Sequence, residues 1–210
     1  MLSPRQGYTG LLLDVGGVLT TDFFAATGAH CERLGLPRER FVEVVTADPA
    51  GLQLLHQIER GEISQPAFER GLAGLLGVAG DGLLRGLLAD ARPNVEVILA
   101  SQRARQAGVR VGVVSNSLGT DPYNPYEAYG LADWFDAVVI SGEVGLRKPE
   151  PAIYELAAAK LGLPASRCVF VDDLEANLPA ARALGMATVH HVENPTTLTE
   201  LERLLGIPLR

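Results

Sequence analysis

Lysine is almost missing from this chain: among 210 residues only Lys148 and Lys160 carry an ammonium. Basic residues number 18 against 25 acidic ones, a formal charge of −7. No cluster of Lys and Arg works against that sign, which argues against non-specific nucleic-acid binding. No apolar run approaches about 18 residues, so no membrane-spanning helix is expected, and the opening MLSPRQGYTG lacks the apolar stretch of a secretory signal. Cys31 and Cys168 are far apart and sit in no motif. Buried reduced thiols are therefore expected, and not a disulfide or a reactive cysteine. These absences point to the cytoplasm. Internal repeats and low-complexity segments are absent too. What remains is ordinary globular material, 47% hydrophobic and 20% charged, long enough for one substantial core with a small insertion.

Four short apolar runs are rich in β-branched residues and end in polar ones: GLLLD (10–14), VRVGVVSN (109–116), AVVIS (137–141) and CVFVDD (168–173). A fifth, ATVHHV (187–192), is weaker. Short and nearly continuous, they suit strands of a parallel sheet buried on both faces. Helical segments lie between them: VEVILASQRARQAG ending at Gly108, PEPAIYELAAAKLG ending at Gly162, and LEANLPAARALG ending at Gly185. Pro179 sits near the start of the last one or kinks it. The alternation implies right-handed βαβ crossovers and a doubly wound α/β sheet. Residues 21–90 break it. There FVEVV, GLQLLHQIER and FERGLAGLLG read as short amphipathic helices punctuated by Pro37, Pro49, Gly61 and Pro66. The expected organisation is a core from 1–20 and 91–210 with a helical insertion at 21–90.

In open α/β sheets, ligands bind beyond the carboxyl ends of the strands. That rule selects Asp14, Ser115, Asn116, Ser141, Asp172 and Asp173. Any one of them could simply start a turn. Together they would bring three carboxylates to one rim, where repulsion calls for a cation, and a small set of hard oxygen ligands suits Mg²⁺. Lys148, just ahead of a helix, would offset that charge and hold a phosphate oxygen. On this reading Asp14 is a nucleophile, Asp172 and Asp173 hold the metal, and Ser115 and Asn116 donate hydrogen bonds to phosphate.

These segments resemble, in order, the four motifs of haloacid dehalogenase-like (HAD) hydrolases: LLLDVGGVLT, VVSNS, GLRKPEPAIY and VFVDDLEANLPAARALGM. The insertion resembles the family's small helical C1-type cap, RGEIS included. The resemblance implies an aspartyl-phosphate on Asp14, steadied by Lys148, with Mg²⁺ held by Asp14, Asp172, Asp173 and the backbone carbonyl of Gly16. Asn177 matches the family's usual asparagine after the last motif, in either a structural or a catalytic role. The implied substrate is a small phosphorylated metabolite, with a sugar phosphate among the candidates. Nothing here separates a monomer from a homodimer.

One position departs from the pattern. Family phosphatases usually carry a second aspartate two residues after the nucleophile, which protonates the leaving alcohol and then activates water. Here that position is Gly16. General acid–base catalysis typically contributes about 10²–10⁴-fold, or roughly 3–5 kcal/mol of barrier. The intact VDD argues against dehalogenation, and a cap without lysine argues against Schiff-base phosphonatase chemistry. The chain looks most like small bacterial sugar-phosphate phosphatases with D-x-G in the first motif. The alternative is a weak or inactive phosphate-ligand binder. Asp22, His30 and His56 are possible stand-ins for the acid, although ordinary surface or packing roles suit them better. His190 and His191 would point to opposite faces of a strand and are read as structural. The aromatic tract DPYNPYEAYGLADWF (121–135) reads as a packed surface loop, a dimer contact or a substrate-facing loop.

Overall fold

The computed structural model describes residues 7–21, 23–128 and 134–210. Five parallel strands, β1 (Gly10–Leu13), β2 (Arg110–Ser115), β3 (Ala137–Ile140), β4 (Cys168–Asp172) and β5 (Ala187–His190), form one sheet in the order β3-β2-β1-β4-β5. Each falls within one of the five apolar runs. The order reverses direction between β1 and β4, the kind of switch point at which open α/β sheets bind ligands.

Alternation along the strands divides the core between two faces. Leu11 and Leu13 join Val111, Val113, Val169 and Val171 on one face. Against them pack Val97, Ile98 and Ala104 of α6 (Val95–Gln106) and Leu198, Leu201 and Leu205 of α11 (Asn194–Leu205). Leu12, Val114, Val139 and Phe170 point the other way. They meet Ile153, Tyr154 and Ala157 of α9 (Pro151–Lys160) and Leu178 and Ala181 of α10 (Leu178–Ala183). Burial on both faces is why the strands read as unbroken apolar runs. The glycines expected to end helices, Gly108, Gly162 and Gly185, all have positive φ.

Between β1 and α6 lie α1 (Phe23–Arg33), α2 (Arg40–Ala47), α3 (Pro49–Glu59), α4 (Gln65–Leu76) and α5 (Leu83–Leu88). They share a separate apolar cluster built on Cys31, Phe41, Phe68, Leu72 and Leu84. Two ion pairs tie α3 to the loop before α9: Arg147 Nε lies 2.5 Å from Glu59 Oε2, and Arg60 pairs with Glu150. Short helices α7 (Pro125–Ala128) and α8 (Ser141–Val144) flank β3.

Several local features differ from the sequence reading. Helices α1, α5 and α11 were not expected. LEANLPAARALG is not one helix: a 3₁₀ turn at Glu175–Asn177 precedes α10, and Pro179 sits in the first turn of α10, where its missing N–H costs nothing. Both cysteines are buried and free, as expected. His190 is exposed while His191 is buried against Thr197, so the two do face apart. Among the described residues, no helix is long and apolar enough to cross a membrane.

Candidate active site

Strand register builds the site. Leu13 pairs with Val171, so the next residues, Asp14 and Asp172, leave neighbouring strands at the same level on either side of the switch point. The Asp14 N–H bonds the Val171 carbonyl at 3.0 Å, which extends the ladder by one step and holds the aspartate at the rim. Ligand oxygens of Asp14, Asp172 and Asp173 all lie within 4.8 Å of one another. Asp172 is fully buried and Asp14 nearly so.

Lys148 bridges two of these carboxylates. Its Nζ is 2.8 Å from Asp14 Oδ1 and 2.6 Å from Asp172 Oδ2, and the side chain is 1% exposed. Burial works against the ammonium, but the two aspartates outweigh it and raise its pKa. Burial also pushes the Asp14 carboxyl up; Lys148 opposes that push, while Asp172 and Asp173 add to it. One ammonium therefore does not fully offset three clustered carboxylates. The loop bearing Lys148 is held by Asn116, whose Oδ1 accepts from the Lys148 N–H at 2.8 Å and whose Nδ2 donates to the Lys148 carbonyl at 3.1 Å.

Asn177 donates to Asp172 Oδ1 at 3.0 Å and Oδ2 at 3.1 Å, and the Leu174 N–H adds a bond of 2.8 Å to Oδ1. These contacts fix the Asp172 carboxylate in place. Ser115 ends β2, and its Oγ accepts a hydrogen bond of 3.0 Å from the Tyr126 hydroxyl. Burial pushes the Tyr126 phenol up to about 12, so it stays a donor. The Ser141 Oγ accepts from the Ser117 N–H at 2.9 Å and links the ends of β2 and β3.

After Asp14 the chain turns tightly through Val15–Leu19, and two adjacent glycines there have different reasons. Gly17 has φ 71°, and a Cβ on it would lie 2.2 Å from Asp173 Oδ2. Glycine is therefore required at 17 by both backbone and space. Gly16 has φ −63° and ψ 129°, open to any residue, and among the described residues a Cβ there would meet only Phe23 Cβ at 3.7 Å. Its missing side chain is not imposed by the fold.

Of the other histidines considered, His56 is exposed on α3 and His30 lies beside Arg33 on α1. Asp22 and residues 129–133 of the aromatic tract lie outside the described residues. Tyr126 belongs to the tract read as a packed, dimer-contact or substrate-facing loop, and its bond to Ser115 brings it to the end of β2. Tyr123 of that tract braces the insertion: Gln65 of α4 accepts from the Tyr123 N–H and donates to its carbonyl, and Arg85 of α5 stacks 4.9 Å over its ring.

Residues 8–185 match the haloacid dehalogenase-like hydrolase family. The chain belongs to it. This HAD-like hydrolase is 29% identical over 153 residues to a sesquiterpene phosphatase of Aspergillus oryzae, covering 71% of the chain and 78% of that protein. It is 33% identical over 99 residues to a glyceraldehyde 3-phosphate phosphatase of Methanopyrus kandleri, covering 47% of the chain and 42% of that protein. It thus spans less than half the length of the second relative. A HAD family enzyme of Bacteroides thetaiotaomicron, solved with magnesium and inorganic phosphate, shares the fold with a TM-score of 0.66 at 24% identity, over 89% of this chain and 95% of that one.

Proposed function

We propose that this HAD-like hydrolase is a Mg²⁺-dependent phosphatase of small phosphomonoesters that forms an aspartyl-phosphate on Asp14. The observation that carries the reading is the cluster of Asp14, Asp172 and Asp173 at the β1/β4 switch point, with Lys148 between two of them. The donor set fits Mg²⁺: hard carboxylate oxygens with more negative charge than one lysine offsets. Asp14, Asp172, Asp173 and the Gly16 carbonyl would hold it. When bound, the ion supplies charge neutralisation for a phosphate dianion beside a carboxylate nucleophile. The magnesium in the Bacteroides enzyme and the names of the two relatives support the assignment.

In this mechanism Asp14 attacks phosphorus, the P–O ester bond breaks, and the leaving oxygen keeps the electron pair. Lys148 holds Asp14 and a phosphoryl oxygen, while Ser115 and Asn116 bond the remaining oxygens. Water then attacks the acyl phosphate, which releases inorganic phosphate and restores the Asp14 carboxylate. With Gly16 in place of the usual acid, the leaving oxygen takes its proton from water, so substrates with good leaving groups are favoured. Helices α1–α5, residues 21–90 in all, serve as the cap that excludes bulk water and selects the substrate.

The same Gly16 favours one alternative, a phosphate-ligand binder that barely turns over. A phosphate-release screen with Mg²⁺ over phosphorylated metabolites and an activated aryl phosphate separates the two. Hydrolysis that disappears in Asp14→Asn supports the enzyme. No turnover in the wild type, together with Mg²⁺-linked thermal stabilisation by phosphate ligands and activity appearing in Gly16→Asp, supports the binder.

A further inference from the structure

A cavity of about 70 Å³ borders Gly16, roughly twice the share of one water in the liquid. Val15, Phe23, Leu88, Leu118, Pro125 and Tyr126 supply most of its wall. Among the described residues, no charged side chain lines it. The polar side chains that reach it are Thr20, Ser115, Asn116 and Tyr126; each has a partner inside the protein, and the capacity left on Ser115 and Asn116 goes to the phosphate in the proposed mechanism. Thr20 Oγ1 donates to the Val15 carbonyl at 3.1 Å, the Asn116 amide is held at both ends by the Lys148 backbone, and the Tyr126 hydroxyl donates to Ser115.

We propose that this cavity is the leaving-group subsite and that it takes a hydrocarbon, so that the substrates are phosphomonoesters of aryl or branched apolar alcohols and not of sugars. The inference rests on the phosphatase reading, because Val15 and Gly16, which line the cavity, directly follow the nucleophile, and Asn116, which also lines it, holds the backbone of the lysine that pairs with Asp14. A sugar would bring several hydroxyls against a wall whose polar groups are already committed, and each hydroxyl buried without a partner costs binding. A hydrocarbon needs no partner and gains by leaving water.

Gly16 completes the argument. The backbone there accepts any residue, and a carboxylate on it would rise beside Phe23. Glycine keeps the wall apolar where an acid would charge it. A phenol-type leaving group suits the missing acid as well, since the P–O bond breaks to a stabilised oxyanion that takes its proton later from water. The cavity accommodates the first carbons of such a group, and a longer chain would continue out of it.

The test is calorimetric titration of the whole protein with Mg²⁺ and three non-hydrolysed probes: inorganic phosphate, 2-methylbutyl phosphonate and 2,3-dihydroxypropyl phosphonate. The two phosphonates differ chiefly in methyl and hydroxyl groups. The branched alkyl probe is expected to bind at least about tenfold tighter, and Leu118→Gln is expected to shrink that ratio severalfold. Equal affinities, or a preference for the diol, with inorganic phosphate still binding would overturn the subsite and leave the phosphatase reading standing. Failure of all three probes to bind would overturn both.

Discussion

Adjacent glycines 16 and 17 make opposite predictions for the same substitution. At Gly17, alanine must adopt φ near 71°, which costs a non-glycine residue about 1–2 kcal/mol. The new Cβ would also lie 2.2 Å from Asp173 Oδ2 and 2.5 Å from its Cγ. Turning the carboxylate end does not clear both, so Asp173 must swing away from Asp14 and Asp172. At Gly16 the backbone is already ordinary and, among the described residues, the nearest atom is 3.7 Å off. Alanine there is expected to be neutral or stabilising, by up to about 1 kcal/mol, through a stiffer unfolded chain. Denaturant unfolding reads the stability difference, and calorimetric Mg²⁺ titration reads the metal site. Gly17→Ala should lose about 1–2 kcal/mol and weaken Mg²⁺ on the order of 10–100-fold, while Gly16→Ala keeps both. Equal behaviour of the two variants, or a costlier change at 16, would refute the reasoning.

Two further outcomes follow from the buried contacts. Lys148→Met strips the shared cation from Asp14 and Asp172 and should cost about 3–5 kcal/mol of stability without divalent ions; added Mg²⁺ should restore more stability in the variant than it adds to the wild type, as unfolding with and without the ion would show. Tyr126→Phe removes the donor to Ser115 Oγ and should cost about 1 kcal/mol and lower kcat/KM severalfold with little change in Mg²⁺ affinity, measurable by steady-state kinetics beside metal titration.

Much of the core was legible because its physics is local. A strand buried on both faces must be an unbroken apolar run, and Leu11, Leu12 and Leu13 divide between the two faces as that requires. Polar residues at strand ends then marked the rim, and Asp14, Asp172, Asp173 and Lys148 do meet there. At α11, Leu198, Leu201 and Leu205 follow a helical spacing, but the first half of NPTTLTELERLL is mostly polar and hides it. Helix α1, FFAATGAHCER, has a glycine and a threonine on its buried side and so showed no apolar stripe. The Tyr126–Ser115 bond was not readable, because only the folded loop brings that phenol back to β2. Gly17 likewise looked like any turn glycine, since its need for space comes from Asp173, just past the end of β4 and far along the chain. Sequence pattern reports what faces a layer; it does not report which loops meet.

The most direct test of the account is to trap the intermediate. Enzyme quenched in acid during turnover of an aryl phosphate with Mg²⁺, then reduced with borohydride and digested, should yield a peptide with homoserine in place of Asp14, the product of a reduced acyl phosphate. Asp14→Asn should give neither that peptide nor phosphate release. Hydrolysis that persists in Asp14→Asn, or an acyl phosphate trapped at a different carboxylate, would contradict the assignment of Asp14 as the nucleophile.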